Sequence, residues 1–97
     1  MITFYRMGTP LPGHRKDGAD YVKSVADYIA SKHGVKATCA IKIGGAAGRV
    51  GVRLVFDDMA GLEAWIEKAR ADKAYVELTH GADGIMGETE DAVWKVL

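Results

Sequence analysis

The chain has 97 residues, of which 48% are apolar and 27% charged, and its formal net charge is zero. This size and composition are ordinary for one globular domain, so we expect residues 1–97 to form a single domain. The balanced charge lacks the basic excess of nucleic-acid-binding proteins, and no apolar run reaches the roughly 18 residues of a spanning helix, so neither nucleic acid nor a membrane is an expected partner.

The first two predicted elements are a strand and a helix. Residues 2–7 are rich in β-branched and aromatic side chains, which is typical of a strand, and residues 8–13 contain two prolines and form a loop. From about residue 17 to residue 33 the apolar side chains recur at helical spacing. Gly34 stands where a helix of this length usually ends.

A glycine-rich hairpin follows the first helix. Apolar side chains alternate with period two over residues 37–43 and again over residues 50–56, which predicts two strands. The glycines between them lie before a strand and not before a helix, which favours a tight turn over a phosphate cradle. The apolar residues predicted to face the helices in the completed sheet are Ile2, Phe4, Cys39, Ile41, Ile43, Val50, Val52, Leu54 and Phe56.

The second half of the chain predicts a broken helix and a last strand. An aspartate at residue 57 or 58 can cap a helix whose apolar side chains include Trp65. The helical pattern is interrupted around Ala71, and Asp72 is placed to cap a short third helix. Residues 91–97 predict the last strand. The acidic residues Glu88, Glu90 and Asp91, around its start, lack the spacing of a calcium loop and predict a solvated turn.

The element order is strand, helix, strand, strand, helix, strand, which predicts an α+β, ferredoxin-like βαββαβ sandwich. Right-handed crossovers place the first and third strands in the middle of a four-stranded antiparallel sheet, with the helices on one face. The other face then carries aromatic and aliphatic side chains over an area that a small monomer rarely leaves exposed. We therefore expect a homodimer joined through this face, with the interface residues Tyr5, Met7, Val55 and Trp94.

Three stretches carry a family resemblance. They are Ile-Gly-Gly-Ala-Ala-Gly-Arg at 43–49, Val-Phe-Asp-Asp-Met-Ala-Gly-Leu-Glu-Ala-Trp at 55–65, and Ala-Asp-Lys-Ala-Tyr at 71–75. With the element order, they make the chain resemble the dimeric α/β-barrel superfamily, which includes antibiotic-biosynthesis monooxygenases, EthD-like proteins and NIPSNAP-like domains. The resemblance covers essentially the whole chain, and it implies two sheets paired into a barrel.

The resemblance also implies a ligand cavity between the helices and the sheet, with Trp65 and Tyr75 as its aromatic walls. Both are first of all core residues by their spacing. His14 and His80, on loops or helix ends, are the candidate catalytic residues because imidazole transfers protons near neutral pH. The predicted pocket residues are Trp65, Tyr75, Tyr21 and Tyr28.

Superfamily membership does not settle the activity, because the same fold hosts oxygenases, cyclases, isomerases and proteins without a known reaction. One hypothesis is a cofactor-independent oxygenase, cyclase or isomerase that acts on a small hydrophobic or aromatic compound. The alternative is a non-catalytic dimeric module that binds a small molecule or a partner, or a dimer whose cavity is filled by its own side chains. Whether the protein is an enzyme stays open.

Cofactors and location are predicted from what the sequence lacks. It contains no flavin or nicotinamide fingerprint, and its three histidines form no closely spaced pair, so we expect neither a cofactor nor a metal. The single cysteine cannot form an internal disulfide, and the first residues lack a signal-peptide pattern. These features predict a reducing, cytoplasmic setting.

Overall fold

A computed structural model describes residues 1–45 and 48–97 of the chain. Ala46 and Ala47, which belong to the predicted glycine-rich turn, lie outside the described residues. Within the described ranges, no helix is both long and apolar enough to cross a bilayer. The elements are β1 (Ile2–Pro10), α1 (Arg15–His33), β2 (Lys36–Ile41), β3 (Val50–Phe56), α2 (Met59–Ala71), α3 (Lys73–Thr79), a 3-10 turn (His80–Ala82) and β4 (Met86–Lys95).

The four strands form one antiparallel sheet in the order β2-β3-β1-β4. The first and third strands are central and the second and fourth are at the edges, as the crossover rule predicts. The expected α+β, ferredoxin-like fold is therefore confirmed. The central pair is in continuous register from Ile2 opposite Phe56 to Gly8 opposite Val50.

The hydrophobic core lies between the helices and one face of the sheet. On β1 and β3, side chains at alternate positions are buried because paired residues of antiparallel strands point to the same side of the sheet. The helices close this face with apolar side chains at helical spacing. The core residues are Ile2, Phe4, Val22, Val25, Ala26, Ile29, Val50, Val52, Leu54, Phe56, Leu62, Trp65, Ala69 and Tyr75.

The prediction that the helices cover all of β2 is wrong. Cys39 and Ile41 pair with Val52 and Val50, and therefore share the helix-facing side of the sheet, but both are exposed. β2 is an edge strand, and only its beginning, at Ala37, packs against the core. Ile43 follows the strand and is 88% exposed. The apolar pattern of β2 indicated its orientation and not its burial.

The predicted last strand is also placed too late. β4 begins at Met86, where a turn was expected, so Glu88, Glu90 and Asp91 lie within a strand. Pairing between main chains requires no apolar side chains, and the first half of β4 is an exposed edge whose sequence lacks the alternating pattern. Ladder pairs with β1 extend from Lys95, opposite Ile2, to Met86, opposite Pro10.

The local signals for the helices and the hairpin turn are confirmed. Asp58 caps α2, since its side chain accepts a hydrogen bond of 2.9 Å from the Gly61 N–H. Asp72 caps α3 after the predicted break. In the hairpin turn, Gly45 and Gly48 have φ angles of +68° and +88°, which residues with a Cβ atom rarely adopt.

Candidate functional site

A cavity of about 320 Å³ lies between the helices and the covered face of the sheet. Side chains of β1 and β3 form its floor, and α1, α2 and α3 form its roof. Its apolar wall is formed by Phe4, Val22, Val25, Ile29, Val50, Val52, Leu54 and Trp65.

Trp65 on α2 is the centre of an aromatic cluster beside the cavity. Its ring lies 6.2 Å from the rings of Phe4 and Phe56 and 6.1 Å from that of Tyr75, at the tilted and edge-on angles that aromatic pairs prefer. The side chain is 7% exposed, and its buried indole N–H has no hydrogen-bond partner within residues 1–45 and 48–97. The cluster therefore forms an aromatic wall in which the Trp65 indole N–H is an unused hydrogen-bond donor.

An ion pair between β1 and β4 forms the polar end of the cavity wall. Arg6 and Asp91 are directly opposite in the ladder, and two hydrogen bonds of 2.7 and 2.9 Å join the guanidinium to the carboxylate. The guanidinium carbon lies 5.8 Å from the ring centre of Phe4. The hydrogen bonds raise the pKa of Arg6 and lower the pKa of Asp91, so both groups are charged at neutral pH.

Two tyrosines accompany the ion pair. Burial raises the pKa of Tyr75 above its ordinary value, and the Asp91 carboxylate raises it further while Arg6 opposes the shift. Burial likewise raises the pKa of Tyr21, whose hydroxyl donates a hydrogen bond of 3.3 Å to the Thr79 carbonyl. Both phenols are therefore neutral at physiological pH and able to donate hydrogen bonds.

A second depression of about 350 Å³ adjoins the first on the side of α2 and α3. The two share the ion pair, Trp65 and Tyr75 in their walls. The second depression adds Arg70, an exposed residue in the last turn of α2. The charged residues where the two spaces meet are thus Arg6 and Asp91.

The predicted pocket residues divide into two groups. Trp65, Tyr75 and Tyr21 line the cavity, whereas Tyr28 does not. The Tyr28 hydroxyl instead donates a hydrogen bond of 2.7 Å to Asp72 Oδ2. The same oxygen lies 3.0 Å from His33 Nε2, so these side chains tie the end of α1 to the break between α2 and α3.

Neither candidate catalytic histidine lines the cavity. His14 precedes α1 and its Nδ1 lies 3.0 Å from Asp17 Oδ2. His80 begins the 3-10 turn and its Nδ1 lies 3.5 Å from Asp83 Oδ2. Each imidazole is paired with a neighbouring carboxylate at the protein surface. Within the described ranges, no three His, Cys, Asp or Glu side chains are grouped as metal ligands.

Arg6 and Asp91 are the polar residues that the sequence prediction missed. A signal for Arg6 was present, since period two puts it on the same side of β1 as Ile2 and Phe4, where a charged residue is unusual. No such signal existed for Asp91, because β4 was predicted to begin at this residue and its register with β1 could not be derived.

The open face of the sheet carries the predicted interface residues. Tyr5, Met7 and Trp94 line a shallow depression of about 670 Å³, and Val55 is opposite Thr3 in the ladder. Trp94 is 63% exposed. The buried Nε atoms of Arg49 and Arg53 have no hydrogen-bond partner in the described part of the chain. The face therefore combines aromatic and aliphatic side chains with charged ones, and Arg53 lies opposite Tyr5 on the central pair of strands.

Comparisons with known proteins identify the fold. No family model matches the chain, and no curated protein matches it either. A NIPSNAP domain protein from Burkholderia xenovorans superposes with a TM-score of 0.83 at 15% identity, over 100% of this chain and 95% of that one.

Two oxygenase-related structures are similar as well. SnoaB, a cofactor-independent oxygenase from Streptomyces nogalater, superposes with a TM-score of 0.72 at 13% identity over 99% and 92% of the two chains. A putative antibiotic biosynthesis monooxygenase from Deinococcus radiodurans gives 0.74 at 7% identity over 99% and 92%. The chain therefore has the ferredoxin-like fold shared by NIPSNAP domain proteins and antibiotic-biosynthesis-monooxygenase-like proteins, which confirms the resemblance inferred from its sequence.

Proposed function

We propose that the protein binds a small, largely apolar molecule in the cavity between its sheet and its helices. The observation that carries the proposal is an apolar cavity of about 320 Å³ with a polar cluster on one wall. Small-molecule sites have roughly 300–1,000 Å³ and combine apolar walls with a few polar groups that fix orientation. Trp65 stacks against the ligand, and Arg6 and Tyr75 donate hydrogen bonds to it.

Trp65 provides a direct test of binding. The chain contains two tryptophans, so a Trp94→Phe variant leaves Trp65 as the single indole reporter beside the cavity. Titration with the neutral bicyclic ketone 2-acetonaphthone should quench this fluorescence with saturation, because an aromatic guest would lie against the ring. A strictly linear decrease, as in collisional quenching, would contradict binding.

A matched pair of variants locates the site. Ala82 lines the cavity, whereas Ala74 on α3 is exposed and does not. Ala82→Phe should abolish saturable quenching by filling the space, and Ala74→Phe should leave it unchanged. Equal effects of the two substitutions would place the probe outside the cavity. Circular dichroism should show that both variants are folded.

A second candidate function is cofactor-independent catalysis on an aromatic compound. It is favoured by the structural similarity to SnoaB and by two donors in the cavity wall, Arg6 and Tyr75. The Arg6 guanidinium and the neutral phenol of Tyr75 are suited to stabilise negative charge on a substrate oxygen as a neighbouring proton is lost. Oxygen uptake with 1,3-dihydroxynaphthalene should then exceed the protein-free rate and decrease in Tyr75→Phe. A rate equal to the protein-free control would exclude oxygenation of this substrate.

We also propose that two copies pair through the open faces of their sheets. Tyr5, Met7, Val55 and Trp94 would form the apolar centre of this interface. Like surfaces related by a two-fold axis are the commonest way to cover such a face.

A further inference from the structure

The charged side chains around the cavity indicate the charge of the ligand that it binds. The side chains that line the cavity and its adjoining depression include two arginines, Arg6 and Arg70, and one carboxylate, Asp91. Two positive charges against one negative charge leave a net charge of +1. The other titratable side chains in these walls are Tyr21 and Tyr75, which are neutral. From this imbalance we infer that the ligand is a small aromatic monoanion, a carboxylate or an ionised enol, whose oxygens bind Arg6. The inference rests on the proposed function.

The hydrogen bonds of Arg6 leave room for a second anion. Asp91 occupies Nε and one N–H of Nη2, which form one edge of the planar guanidinium. The other edge consists of Nη1 and the second N–H of Nη2, and Nη1 has no hydrogen-bond partner within the described ranges. Two N–H groups on this edge match a pair of oxygens with shared negative charge.

Tyr75 and Arg70 complete the anion site. The Tyr75 phenol is held neutral by burial, and Tyr75, Arg6 and Asp91 all line both the cavity and the adjoining depression. It can donate a hydrogen bond to the same oxyanion. Arg70 lines only the adjoining depression, from which its positive charge adds long-range attraction. Asp91 has the opposite effect on an anion, because it repels any negative charge placed beside Arg6.

This arrangement predicts opposite effects for the two members of one ion pair. Arg6→Gln should weaken binding of an anion about tenfold, because a charge-assisted hydrogen bond is lost. Asp91→Asn keeps the shape of the side chain but removes the competing charge, so it should strengthen binding by roughly threefold or more. A purely structural ion pair would give weaker binding in both variants.

Calorimetry with matched probes tests the inference. The carboxylate arm compares 2-naphthoate with neutral 2-naphthamide, and the enolate arm compares 2-hydroxy-1,4-naphthoquinone with its methyl ether. We expect each anion to bind more tightly than its neutral partner. The anion that binds more tightly shows whether the site prefers a carboxylate or an ionised enol. Arg70→Gln, at an exposed position, should weaken both anions and leave both neutral compounds unchanged.

Three results would overturn the inference. Equal affinities within both probe pairs would show that charge does not contribute, and the proposed apolar binding function would stand without it. Weaker anion binding in Asp91→Asn, with folding intact, would show that the carboxylate assists and does not compete. Failure of every charged and neutral probe to bind the wild type would overturn the proposed function together with the inference.

Discussion

At the residue scale, the Asp72 side chain joins the end of α1 to the start of α3. One carboxylate oxygen accepts a hydrogen bond of 3.1 Å from the Tyr75 N–H and so caps α3. The other accepts the Tyr28 hydroxyl and lies beside His33. Tyr75 lines the cavity, so the start of α3 and the cavity wall depend on the same carboxylate.

The bonds of Asp72 predict a pH dependence of stability. The Tyr28 hydroxyl, then the Tyr75 N–H and His33, lower the pKa of Asp72 in the folded state below the value of about 3.9 that holds in an unfolded chain. A lowered pKa stabilises the fold above that pH, and the contribution is lost as the pH falls through the folded-state value. At a pH near 6, the Asp72→Asn variant should therefore unfold at a lower urea concentration than the wild type. The difference between the two urea midpoints should become smaller near pH 3. A difference in urea midpoint that does not change with pH would contradict a contribution from the lowered pKa of Asp72.

Gly51 on β3 predicts a steric effect on stability. A Cβ at this position would overlap the carbonyl oxygen of Arg6 and lie 2.7 Å from Met7 Cγ. We expect Gly51→Ala to lower the free energy of unfolding by about 1–3 kcal/mol, because the strands must move apart. Gly44 is the control, since a Cβ there meets nothing within 4 Å. Urea unfolding of both variants would test this, and equal stabilities would contradict the close approach.

The cavity shows why some residues could be predicted and others not. The burial of Trp65 and Tyr75 follows from helical spacing, which is a local pattern, and their place in a cavity wall was implied by the family resemblance. The ion pair joins residues 85 positions apart in the sequence, and its partner choice depends on the register of β4. Tyr28 has the spacing of a helix residue near the core, but its hydroxyl is directed to Asp72 by the position of the α2–α3 break, which spacing alone cannot give.

At the element scale, β2 shows the difference between facing the core and being covered by it. Its apolar alternation is as regular as that of β3, yet β3 is central and β2 has a neighbour on one side only. Sequence periodicity gives the orientation of a strand's side chains, and the strand order then decides how much the helices cover. The early start of β4 has a related cause, since an edge strand can be held by main-chain pairing alone.

The exposed edge predicts the reactivity of Cys39. Burial would protect the thiol until the protein unfolds, but Cys39 is exposed. We expect Ellman's reagent to modify one thiol per chain in native buffer, at a rate that urea changes little. Cys39→Ser provides the blank. Modification only after addition of urea would restore the original sequence prediction of a buried side chain.

At the scale of the whole molecule, the protein is a thin plate. Its extents are 38 × 34 × 19 Å, and the short dimension fits one sheet and one layer of helices. One face of the sheet is covered by these helices and the other carries the aromatic and aliphatic side chains of the proposed interface. Two such plates stacked through their sheets would enclose those side chains.

The proposed dimer predicts a particle of twice the chain mass of 10.4 kDa. Val55→Lys should give a monomer, because an unpaired charge inside an apolar interface costs several kcal/mol. Val76→Lys is the matched control, since Val76 lies on α3 and away from the open face. Light scattering at micromolar concentration measures both. Wild-type protein found only at the mass of one chain would exclude the dimer.

The central position of β1 also determines when the chain can fold during synthesis. Strand β1 needs neighbours from residues 50–56 and from residues 86–95 to form its two ladders. Its pairing with β3 cannot form before residues 50–56 are made, and the Arg6–Asp91 pair cannot form before β4 is made. The cavity is therefore completed only once β4 is in place, and a truncated product lacking β4 would leave β1 as an open edge available for aggregation.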